Sequence, residues 1–148
     1  MADKTDVLLE YWKDQRTQAR HAESQRATLT NIVLLITVAT LGFVAQRGLR
    51  TTSLSLTIPL IAIGLFGAAT SAKYYERYNL HIAQAIKFSE LLAGIDAIYD
   101  HESTLMLVRA EHADRNGKIS RIRLNKLWIA IHLLVALTGC TLTVAILA

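Results

Sequence analysis

ATLTNIVLLITVATLGFVAQ, the stretch from Ala27 to Gln46, runs for 20 residues without an Asp, Glu, Lys or Arg. At about 1.5 Å rise per residue, a helix of that length covers the ~30 Å hydrocarbon core of a bilayer. Two further uncharged runs follow, TTSLSLTIPLIAIGLFGAATSA (Thr51 to Ala72) and LWIAIHLLVALTGCTLTVAILA (Leu127 to Ala148), each of 22 residues. The chain has 148 residues, 52% of them hydrophobic, and a mean hydropathy of +0.30. The expected fold class is therefore all-α: an integral membrane protein with three transmembrane helices at about 27–46, 53–73 and 127–147. Long cytoplasmic helices are expected to extend them into a helical bundle.

Composition narrows the rest. No Ser- or Gly-rich linker, internal repeat or low-complexity tract divides the sequence, so residues 1–148 read as one membrane domain. A cleavable signal peptide fits the first run poorly. Twenty-six mostly polar residues precede it, with five basic and five acidic side chains in balance. The single cysteine, Cys140, lies inside the third run and has no internal partner.

Charge sets the expected orientation. Of the 16 Lys and Arg, five lie before the first span, two in the Arg47–Arg50 loop and nine between Lys73 and Lys126. With three crossings the first and last groups share a side, which the positive-inside rule makes cytoplasmic. The expectation is a multi-pass membrane protein, with a cytoplasmic N-terminal helix (1–26) and helical hairpin (73–126) and an extracytoplasmic C-terminus. Basic and acidic residues are interleaved, so the net charge of +4 is explained by topology and no nucleic-acid partner is expected.

Local signals place the elements. Leu8, Trp12, Ala19 and Ala22 form a partial apolar stripe, and nothing breaks the helix between about Thr5 and Gln46. Gly48 stands where a left-handed helix cap belongs, and the short loop after it forces an antiparallel hairpin. Ser53 or Ser55 is expected to cap the second span, with Pro59 in its first turns. Past Ala72, residues Tyr74, Tyr78, His81, Ala85, Phe88, Leu92, Ile95 and Tyr99 recur at spacings of 4 and 3. That is a heptad-like seam, predicting a cytoplasmic extension to about Tyr99 with a coiled-coil-like partner face. Asp100-His101-Glu102-Ser103 is the expected turn, Asp100 or Ser103 capping the returning helix. Asn116-Gly117 is the expected break after it. Trp12, Trp128, Lys73, Arg77 and Lys126 are the candidate membrane-interface anchors.

The candidate functional residues are few. Gly64, Gly67, Ala68 and Ser71 form a small-residue face that lets helices approach closely, within a subunit or between subunits. Thr30, Thr37 and Thr40 cluster on one side of the first span, a pattern shared by structural threonines and by a hydroxyl-lined pore. His132 is the only side chain within the three uncharged runs that can take up a positive charge, on one face with Ala136, Gly139 and Thr143. It is a candidate for a pH-sensitive intramembrane group or for a neutral hydrogen-bonded one. No phosphate loop, nucleophile elbow, paired carboxylates or metal-ligand spacing appears, so neither enzymatic activity, a cofactor nor a metal is expected.

A two-span hairpin followed by a long charged helix opening Ala72-Lys73-Tyr74-Tyr75-Glu76-Arg77-Tyr78 resembles the SLATT family of small bacterial membrane proteins encoded beside anti-phage genes. The likeness covers about Arg16 to Leu92, and the third span departs from the family's two-span pattern. It implies a homo-oligomeric, pore-forming effector of anti-phage defence, gated through its cytoplasmic helices by a signalling nucleotide or a soluble defence partner. Oligomerisation would run through the Tyr74–Tyr99 seam or the small-residue face, because one three-helix subunit is too thin to enclose a pore. The alternative is a non-conducting anchor or accessory subunit that holds a soluble partner. A pore predicts Thr30, Thr37 and Thr40 on a shared axis, and an anchor predicts them buried within each subunit.

Overall fold

The computed structural model describes residues 3–95, 101–116 and 122–148. These residues form four helices and one short 3-10 turn, with no strand among them. Helix α1 spans Lys4–Arg47, α2 spans Leu54–Ala93, α3 spans His101–Asn116 and α4 spans Leu124–Leu147. Three of them, α1, α2 and α4, are long and apolar enough to cross a membrane. Their apolar windows hold few charges and have mean hydropathies of 2.0, 1.8 and 2.2.

The α1–α2 connection follows from its residues. Gly48 has φ +77, the left-handed conformation that costs a glycine least, and its N–H bonds the Val44 carbonyl at 2.9 Å. Thr51–Ser53 form the 3-10 turn that leads into α2. Neither serine caps α2 in the expected way. The Ser53 hydroxyl turns back and donates to the Gly48 carbonyl at 3.1 Å, tying off the loop, while Ser55 donates to Thr52 O at 2.9 Å. Pro59 lies inside α2, one turn past its start, so the Ser55 carbonyl loses its helical donor there.

The far end of α2 also differs from expectation. The helix closes at Ala93, and Gly94 and Ile95 form a turn in which the Ile95 N–H reaches the Leu92 carbonyl at 3.1 Å. A glycine weakens a helix by roughly 1 kcal/mol relative to alanine, so the seam gives way there. Tyr99 and Asp100 lie outside the described residues. His101 and Ser103, expected in a turn, are already helical in α3, whose last described residue is Asn116; Gly117, the other half of the expected break, lies outside the described residues.

The chain divides into two compact units. The first comprises Met1–Ala22 and Glu76–Arg123. Within it, Tyr11 stacks on Phe88 with centroids 5.5 Å apart, and the Gln15 amide oxygen and His81 Nδ1 meet at 2.7 Å. Ala19, Ala22 and Ala85 are buried, so α1 and α2 pair here through small and aromatic side chains. The second unit comprises Glu23–Tyr75 and Leu124–Ala148. It holds the segments of α1 and α2 that flank Gly48 together with α4, around a cluster of Val33, Leu60 and Val135 with Leu29 and Ile63.

Candidate functional site

Buried polar side chains among the described residues all fall in the second unit: Arg26, Thr30, Thr37, Ser53, Thr57, Ser71 and His132. Helical register stacks the central ones. Arg26 and Thr30 lie one turn apart on α1, Gly67, Ser71 and Tyr75 follow at single turns on α2, and Trp128 and His132 do the same on α4.

His132 is fully buried. Its Nε2 lies 3.1 Å from the Thr30 hydroxyl, and Thr30 donates its one proton to the Arg26 carbonyl at 3.0 Å. The hydroxyl therefore accepts from His132, which fixes the imidazole as the Nε2–H tautomer. That leaves Nδ1 as a buried acceptor with no protein partner. The ring fits only because position 67 is glycine: a Cβ there would lie 2.8 Å from His132 Cε1 and 2.9 Å from Cγ. Gly64 is pressed against α4 in the same way, its absent Cβ 2.8 Å from both Ala136 Cα and the His132 carbonyl. Gly139 of α4 meets α2 at the Ile61 amide and the Thr57 carbonyl.

Arg26 forms the layer one turn away. Its Nη2 donates to Glu23 Oε2 at 2.6 Å, and its guanidinium lies 5.2 Å from the Trp128 ring and 6.0 Å from the Tyr75 ring. Such stacking is worth about 2 kcal/mol when the cation is desolvated. The Arg26 Nε and Nη1, the Trp128 indole Nε1, the Asn125 Oδ1 and the Ser71 hydroxyl are buried without a protein partner. At the opposite end of the unit, Thr143 donates to Thr57 at 2.8 Å.

The sequence candidates distribute unevenly over this geometry. Thr30 and Thr37 are buried, Thr37 donating to the Val33 carbonyl at 2.7 Å, and Thr40 is half-buried. Gly64, Gly67, Ala68 and Ser71 are all buried, and the two glycines meet α4. Along the seam Tyr74, Tyr78, His81, Phe88 and Leu92 are half-buried, and His81 and Phe88 face α1 of the same chain. Ile95 is exposed in the turn. Trp12 is half-buried, and Lys73, Arg77 and Lys126 are exposed. Trp128, read as an interface anchor, is packed on a buried cation.

Arg26, one of the five basic residues before the first span, is not singled out by the sequence, and neither is its partner Glu23. A signal existed: Arg26, Tyr75 and Trp128 each sit at the same end of one of the three uncharged runs once the hairpin is closed. No family model matches the chain, and neither does any curated protein or solved structure.

Proposed function

We propose that this is a multi-pass membrane protein with three transmembrane helices, and that it serves as a non-conducting anchor or accessory subunit holding a soluble partner. What carries the reading is the direction of the polar groups. Thr30, Thr37, Ser71, His132 and Arg26 all turn into the second unit, while its outside is apolar: Leu35, Val38, Phe66, Leu134, Leu137 and Val144 are more than half exposed. That inside-out sorting suits lipid, where large side chains gain nothing by hiding and polar groups must pair. The small-residue face meets α4 at Gly64 and Gly67, and the aromatic seam meets α1 at His81 and Phe88, so both are engaged within the chain. The charge bias supports a cytoplasmic first unit, and the SLATT likeness supports a bacterial inner membrane.

The first unit supplies the partner surface. Leu105, Met106, Leu107 and Val108 of α3 are exposed, and a groove of about 360 Å³ runs between Ile86, Ser89, Glu90 and Ala93 of α2 and Leu105, Met106 and Arg109 of α3. In water, such a patch marks an interaction site.

A second reading, a homo-oligomeric pore-forming effector of anti-phage defence, is favoured by the exposed Asn31 on the outer face of α1 and by the same α3 patch. Subunits could meet at either. Reconstitution separates the two. An anchor gives a single-chain mass in nanodiscs and vesicles that retain dye and hold an ion gradient. A symmetric oligomer with dye or ion leakage, with or without a signalling nucleotide, would replace the anchor reading by the pore.

A further inference from the structure

Buried polar atoms without protein partners are expensive, and here five residues of one unit carry them across two helical turns. The unpaired set is mixed. Arg26 Nε and Nη1 and Trp128 Nε1 can only donate, Asn125 Oδ1 and His132 Nδ1 can only accept, and the Ser71 hydroxyl can do either. An anion would satisfy the donors and leave both acceptors orphaned. Nor is a charge called for, since Glu23 at 2.6 Å already balances Arg26. The guest that fits must donate and accept at once, which is the chemistry of water.

We infer that Arg26, Ser71, Asn125, Trp128 and His132 enclose a short file of ordered water that connects the His132 imidazole to the Arg26 end of the unit and to no other. This rests on the three-span reading above. Register supplies the path: Ser71 stands between Gly67, which faces the imidazole, and Tyr75, which faces the guanidinium. One helical turn is about 5.4 Å, so roughly one water, making two hydrogen bonds of about 2.8 Å, bridges each level. Beyond His132 the file ends, because Val33, Leu60 and Val135 with Ile63 form an apolar layer before the Thr57–Thr143 pair.

The consequence is one-sided proton access to an intramembrane imidazole. The groups that face it are Thr30 and, one turn off, Arg26 with Glu23 from α1, Ser71 and Tyr75 from α2, and Trp128 and Asn125 from α4. Water can relay protons along such a set from the Arg26 side. The Val33–Leu60–Val135 layer denies passage to the other, so the site exchanges protons without conducting them.

The test is water-edited solid-state NMR on the full chain in liposomes. Magnetisation from water should build up at the Trp128 indole and the His132 ring several-fold faster than at the Leu60 and Val135 methyls. Ser71→Ala should slow the build-up at His132 and leave Trp128 unchanged. A His132 ring as slow as the Leu60 methyls overturns the inference, as does a Ser71→Ala variant with unaltered His132 build-up. Should Ser71→Ala fail to fold, the wild-type rates decide. The same sample distinguishes the two levels of argument. Cross-peaks from lipid acyl chains to Leu35, Val38 and Leu134 must be present if the three-span reading holds. Their presence beside a dry His132 sinks the water file alone, and their absence sinks the membrane reading.

Discussion

If the three-span reading holds, the two units expose similar side chains for opposite reasons. Leu35 at 72% and Leu134 at 64% exposure belong to a unit whose interior holds arginine, histidine and threonines. Met106 at 61% and Leu107 at 63% belong to one whose buried residues, among those described, are alanines. In hydrocarbon an exposed leucine is at rest, and helices are held by close backbone approach and paired polar groups. In water it costs about 25 cal/mol per Å² of apolar surface left uncovered. On that reading the outside of the first arrangement is matched to its surroundings, and the second leaves apolar side chains uncovered. What makes a unit self-sufficient is the match between its surface and its solvent.

The sharpest way to break this contrast is to deny the second unit its close approach. Gly64→Val puts side-chain atoms where Ala136 backbone already lies, and backbone cannot yield as a flexible side chain can. The expected loss is about 3 kcal/mol or more, at the upper end for overpacking. It would be read as a lowered midpoint of SDS-induced unfolding in mixed micelles. An unchanged midpoint would mean that α2 and α4 are not in contact at this level. Gly42, inside α1 with open space around its Cβ position, is the control: Gly42→Ala should not lower the midpoint and, by helix propensity, can add up to about 1 kcal/mol of stability.

Arg26 comes next. Arg26→Ala removes a cation stacked on Trp128 and Tyr75 together with the packing of its stem, an expected loss of about 2 kcal/mol. Tryptophan emission should report the change locally. A matching shift in a Trp12→Phe background assigns it to Trp128, and a silent spectrum would separate the ring from the guanidinium.

How much of this could be read from the chain follows from the range of each signal. Helix existence and the Gly48 cap depend on residues within one or two turns, and both were legible. The pairing of the seam was not. A heptad-like stripe specifies an apolar partner face without naming the partner, and Tyr11, Gln15 and Ala19 of the same chain turned out to supply it. Arg26 was hidden for a related reason. Its cage joins three helices at one level, and single-helix periodicity carries no information on the mutual register of three helices. Likewise the spacing of Gly64 and Gly67 announces close approach, but only α4 in place shows that the space at Gly67 is filled by an imidazole.

In the first unit, where packing is thinner, effects should shrink. The Tyr11–Phe88 stack, 16° from parallel, is the main interhelical ring contact there. A double-mutant cycle with Tyr11→Ala and Phe88→Ala should return a coupling of about 1 kcal/mol by thermal unfolding. Zero coupling would leave the pairing to the alanines and to Gln15–His81.

The smallest effect tests the contrast most closely, because the two units contain nearly the same ion pair. Glu23–Arg26 and Lys87–Glu90 share a spacing of three residues and distances of 2.6 and 2.7 Å. They differ in burial: the Arg26 side chain is 2% exposed and that of Lys87 is 77%. The hydrogen bond from Lys87 to Glu90, aided by the carboxylate charge, raises the amine above its ordinary 10.5. A raised folded-state value means that any contribution is fully present below 10.5 and fades as pH climbs through the folded value. Exposed pairs of this kind are screened by salt and held loosely, so Lys87→Met should barely move the unfolding midpoint at neutral pH. Whatever difference it makes should vanish in molar salt and at strongly alkaline pH. The deficit of Arg26→Ala should survive both treatments, because a guanidinium does not deprotonate and buried charges are little screened. If molar salt erased the Arg26 deficit as well, its guanidinium would have to be solvated, and the two units would differ in composition but not in solvent.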